Sequence, residues 1–93
     1  MKLRFELVID DKLFQGVIED ETAALVVRQV KLRVGKKVGG WKGFAIRRAS
    51  DSKFMIESVK AYDKKFGTVS DTPRSAEQFL DWAKLNKIVE AIK

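Results

Sequence analysis

The sequence predicts an α+β domain, with an antiparallel sheet of four to five strands followed by one C-terminal amphipathic helix. Three observations carry that expectation. Short runs of alternating apolar and polar residues recur as far as Tyr62. Breaks rich in Gly, Asp and Ser separate them. After Pro73, apolar residues return at helical spacing.

Lys2–Ile9 alternates, with Leu3, Phe5 and Leu7 on one side and Lys2, Arg4, Glu6 and Val8 on the other, as a half-buried strand does. Asp10-Asp11 signals a turn, and Leu13–Ile18, bent at Gly16, completes a hairpin. Glu19–Thr22 breaks the pattern. Ala23–Val34 reads two ways. As a helix it places Ala23, Val26, Val27, Val30 and Val34 on one stripe, with Asp20 or Thr22 as cap and Gly35 as terminator. As a strand it alternates Val30, Leu32 and Val34 with Gln29, Lys31 and Arg33, and its β-branched residues favour that reading. Gly35–Gly40 is expected to be a flexible loop. Trp41–Arg48 then forms a strand with Phe44 and Ile46 inward and Trp41 and Arg47 outward. Ala49–Lys53 is a turn, Phe54–Tyr62 a further strand, Asp63–Gly67 a turn and Thr68–Ser70 a brief edge strand. Thr72 is the expected cap and Pro73 the first residue of a helix whose stripe is Phe79, Trp82, Leu85, Ile88, Val89 and Ile92. That stripe is wide for one small sheet, which raises the expectation of a homodimer.

The 93 residues fit a single domain spanning 1–93. There is no Cys and no His, which excludes disulfides, thiol nucleophiles and imidazole acid–base chemistry. The charged N-terminus is no secretory signal and no apolar run is long enough to span a membrane, so a cytoplasmic protein is expected. No motif calls for a cofactor, a metal or a small-molecule substrate. Asp10, Asp11, Glu19, Asp20 and Glu21 read as turn formers rather than a magnesium site. Asp51, Glu57 and Lys60 do not have the spacing of a nuclease strand. The chain is therefore expected not to be an enzyme, with a small basic metal-independent ribonuclease as one competitor.

Charge gives the functional signal. Residues 28–48 contain Arg28, Lys31, Arg33, Lys36, Lys37, Lys42, Arg47 and Arg48 and no acid, so they carry +8 against +6 for the whole chain. Trp41 sits among them after two glycines. Cations spaced along a surface neutralise phosphates and a flat ring receives a base, so the expected partner is single-stranded DNA or RNA bound with low sequence specificity. The expected interface is Arg28, Lys31, Arg33, Lys36, Lys37, Trp41, Lys42, Arg47 and Arg48. Tyr62 and Phe66, bracketed by Lys60, Lys64 and Lys65, are a lesser candidate. The alternative is a small interaction module or inhibitor that docks the basic hairpin on an acidic protein.

The segments GGWKGFAIRR, KFMIESV, DKKFG and SDTPRSAEQFLDWA, spread over about residues 39–83, resemble the positive-cofactor-four and Whirly-like group of single-stranded-DNA-binding proteins. That resemblance implies a β-β-β-β-α order, a dimer formed through the helices and single-strand binding across a curved basic sheet. It also implies that Trp41 and Lys42 enter a binding strand.

Overall fold

In the computed structural model, which describes residues 1–9 and 12–92, the first two apolar runs pair as expected. Lys2–Ile9 (β1) and Lys12–Glu19 (β2) are antiparallel, with Leu3 opposite Ile18, Phe5 opposite Gly16 and Leu7 opposite Phe14. Leu3, Phe5, Phe14 and Ile18 are buried, so one face of the hairpin is core and the other is open. The expected Asp10-Asp11 turn lies outside the described residues.

Between residues 20 and 88 the described chain has no strand, which overturns the four-to-five-stranded sheet and its single following helix. Four helices occupy that span: Ala23–Val38 (α1), Gly40–Arg48 (α2), Asp51–Phe66 (α3) and Ala76–Leu85 (α4). A third strand, Val89–Ala91 (β3), returns to β1, giving the order β2-β1-β3 among the described residues. The β-β-β-β-α order implied by the family resemblance is therefore absent.

Helix α1 realises the helical alternative for Ala23–Val34. Thr22 caps it, its hydroxyl accepting from the Leu25 amide at 3.2 Å. Val26 and Val27 are both fully buried. Consecutive residues of a one-sided strand point to opposite faces, so only a helix can bury this pair together with Ala23, Val30 and Val34 against the hairpin. Each valine contributes about 1.5–3 kcal/mol by leaving water, which exceeds the small helix propensity penalty of a β-branched residue. Gly35 does not end the helix. It continues to Val38, and Gly39, at φ 69°, closes it by donating to the Gly35 carbonyl.

The expected loop shrinks to Gly39, which shares a positive φ with Gly40 at the start of α2, and the expected Trp41–Arg48 strand lies within α2. The cause is a close approach of backbones. A Cβ on Gly43 would run into the Gly35 carbonyl, and a Cβ on Gly35 would meet Arg47 and the Gly43 carbonyl. Two helices joined by a Gly-Gly turn can therefore pack main chain against main chain. Ile46 rests against the core as expected, but Phe44 does not.

The expected Phe54–Tyr62 strand is part of α3. Ser50 caps that helix through the Lys53 amide, and Gly67 ends it in the left-handed conformation. Phe54, Met55 and Val59 face the core. Thr68–Ser70 forms no strand; its hydroxyls and the Ser70 amide bond to the Asp63 carboxylate instead. Ser75, rather than Thr72, caps α4. Phe79, Leu80 and Ala83 are its buried face, while Leu85 is exposed. Asn86 closes α4, Lys87 turns the chain at φ 60°, and Val89 enters the sheet opposite Phe5. The wide stripe that pointed to a dimer is thus split between a helix and a strand.

Replacing Gly43 by Ala forces α1 and α2 apart. The variant is expected to lose about 1–3 kcal/mol by overpacking, partly offset by about 1 kcal/mol of helix propensity. A lower denaturant midpoint in equilibrium unfolding measures it.

Candidate nucleic-acid interface

The basic segment lies on two helices, and the fold sorts its cations into three groups. The first group is structural. Lys31 is buried, and its ammonium donates to the Ala49 carbonyl at 2.8 Å and pairs with Asp51 Oδ1 at 2.8 Å. Arg28 Nε meets Asp51 Oδ2 at 3.3 Å. Asp51 opens α3, so these contacts tie the middle of α1 to the α2–α3 junction. Partial burial pushes the Asp51 carboxyl up. The bonds and charges of Lys31, then Arg28, more than reverse this and hold it below the usual carboxylate value. The expectation that Lys31 meets a phosphate is corrected: its charge is satisfied inside the fold.

The second group faces β2. Arg33 Nη1 donates to the Val17 carbonyl at 3.0 Å. Arg33, Lys36 and Lys37 line one wall of a groove of about 910 Å³ whose other wall is Leu13, Phe14 and Gln15.

The third group is on α2. Trp41 is 84% exposed, and its ring lies parallel to that of Phe44, with an interplanar angle of 8° and centroids 5.6 Å apart. The Arg48 guanidinium stands 5.5 Å from the Phe44 centroid on the other side of this pair in sequence. Residues 41, 44 and 48 are spaced to share one helix face. Lys42 and Arg47 are exposed on the same short helix, and the Arg47 stem lies over Gly35. Reading 41–48 as a strand placed Phe44 in the core and so missed it. Its i, i+3 relation to Trp41 is the signal that finds it.

The lesser candidate holds together as a ring pair, with the Tyr62 and Phe66 centroids 4.5 Å apart. Tyr62 is half-buried with its ring edge-on to Trp82 at 5.3 Å, whereas Phe66 is exposed with Lys65 over it at 5.6 Å. Asp63 beneath them accepts from Thr68 and Ser70, and the Thr68 hydroxyl leads in holding its carboxyl below the ordinary value. Glu57 and Lys60 sit 4.0 Å apart as an exposed pair one turn apart on α3. Among the described residues, no cluster of three or more acids is placed to hold a metal, and no helix is long and apolar enough to cross a membrane. No protein-family model matches the chain, and neither a curated protein nor a solved structure shows significant similarity to it.

Because the folded-state pKa of Asp51 is lowered, its stabilisation is present above the unfolded carboxylate value of about 3.9 and fades as pH falls through the folded value. The thermal unfolding midpoint of the wild type is expected to fall as the pH drops below about 4, and Asp51→Asn to flatten that limb. At neutral pH the same variant leaves the buried Lys31 without its counter-charge and is expected to cost about 1–3 kcal/mol.

Proposed function

We propose that this protein binds single-stranded DNA or RNA with low sequence specificity through the exposed face of α2. One observation carries the reading: Trp41 is a large ring held out in water and stacked on Phe44, with the Arg48 guanidinium against Phe44 and exposed Lys42 and Arg47 on the same helix. Folding leaves that apolar surface uncovered. An unpaired base stacks on the free side of Trp41, and the neighbouring cations neutralise the phosphates on either side of it. Paired bases in a duplex hide their faces, so the single strand is preferred. Phosphate contact and stacking are both tolerant of sequence, and no bond is made or broken.

Fluorescence titration with a mixed-sequence single-stranded oligonucleotide, against a duplex of the same length, tests this. Quenching is expected to favour the single strand. If about three or four phosphates are neutralised, log affinity falls with log salt at a slope of roughly −2 to −3. Trp41→Phe should abolish the quenching that Trp82, hydrogen-bonded to Ser70, does not report. Trp41→Ala should weaken binding by about 1–3 kcal/mol, and the oligonucleotide should be recovered uncut. Absence of binding at low salt removes the proposal.

A further inference from the structure

β2 is an edge strand, and its outer side is only partly covered. The Val17 carbonyl accepts from Arg33, and the Glu19 carbonyl accepts from the Gln29 amide at 3.3 Å. Both therefore point away from β1. Backbone groups of a strand alternate sides, so the N–H and C=O of Leu13 and Gln15 point outward as well. That end of the edge opens onto the groove lined by Leu13, Phe14, Gln15, Arg33, Lys36 and Lys37, where every ionisable lining residue is a cation. Arg33 faces β2 while Gly35 faces α2, so this groove and the Trp41 face lie on different flanks of α1.

We propose that this edge receives an extended acidic segment of a partner protein as an added strand. Its main chain pairs with Leu13 and Gln15, and its carboxylates meet Lys36 and Lys37. Charge selects this occupant. A second copy of a chain of net charge +6 would bring its own Arg33, Lys36 and Lys37 against this row, whereas an acidic strand is attracted to it. The carbonyl contacts of Arg33 and Gln29 close the edge beyond Val17, so they fix where the added strand must stop.

The test uses the full chain labelled with ¹⁵N and a blocked peptide of alternating Glu and Val. Binding is expected to shift the Leu13 and Gln15 amides and slow their exchange with solvent. Lys36→Glu with Lys37→Glu should weaken it by roughly tenfold, as two attractions become repulsions. Trp41→Ala should leave it unchanged, which separates this proposal from oligonucleotide binding on α2. Four results would overturn it. They are no shift at the β2 edge, equal binding of a backbone N-methylated peptide that cannot form the ladder, displacement of the peptide from Leu13 and Gln15 by an oligonucleotide, and concentration-dependent self-association that perturbs the same amides without peptide.

Discussion

The contact between Gly35 and Gly43 sets the arrangement of everything on the basic side of this molecule. With no side chain at either position, α2 folds back along α1 at backbone distance, and the stem of Arg47 closes over the crossing. Any larger residue would lift α2 away and take Ile46 off the core. The turn that permits the reversal needs two successive residues at positive φ, which Gly39 and Gly40 supply. The four glycines thus have two separate tasks, two giving conformational freedom and two giving room. Trp41 and Phe44 are exposed as a consequence, because the glycine face of α2 is the one turned inward.

The fold was legible in the sequence where one periodicity stood alone. Lys2–Ile9 alternates without rival, and the helix expected after Pro73 is present as α4, although of its expected stripe only Phe79 is buried there and Leu80 and Ala83 complete that face. The middle of the chain failed for a physical reason. Val26, Val30 and Val34 are an even number of residues apart and also close to whole helical turns apart, so both periods accept them. Val27 decides between them, since it is buried beside Val26. Trp41–Arg48 was harder still. Its inward face is Gly43, and a missing side chain leaves no hydrophobic mark to count. β3 was invisible because Ile88, Val89 and Ile92 continue the helical stripe of α4, and only the turn at Lys87 separates them.

Charge was legible as composition but not as surface. Eight cations in one segment looked like a continuous band. The fold buries one of them, Lys31, ties Arg28 to the same carboxylate and directs Arg33 to a strand carbonyl. Burial of Lys31 is possible because Asp51 and the Ala49 carbonyl satisfy its ammonium, and its stem lies along the core. The polar tether joins the middle of α1 to the start of α3. The cations that remain outside serve two flanks of α1, one carrying rings and the other carrying an open strand edge.

The position of β3 shapes how the chain reaches its folded state. β1 is the central strand, yet one of its neighbours follows at once while the other waits until Val89. During synthesis the side of β1 that β3 covers has no partner until the four helices have been made. The pairing of β3 with β1 spans most of the described chain, so it is the least local contact of the sheet. In that interval the exposed side of β1 is a template for any extended chain nearby. Brevity of β3 limits what is gained in that pairing, leaving the sheet to depend on the helices packed against it.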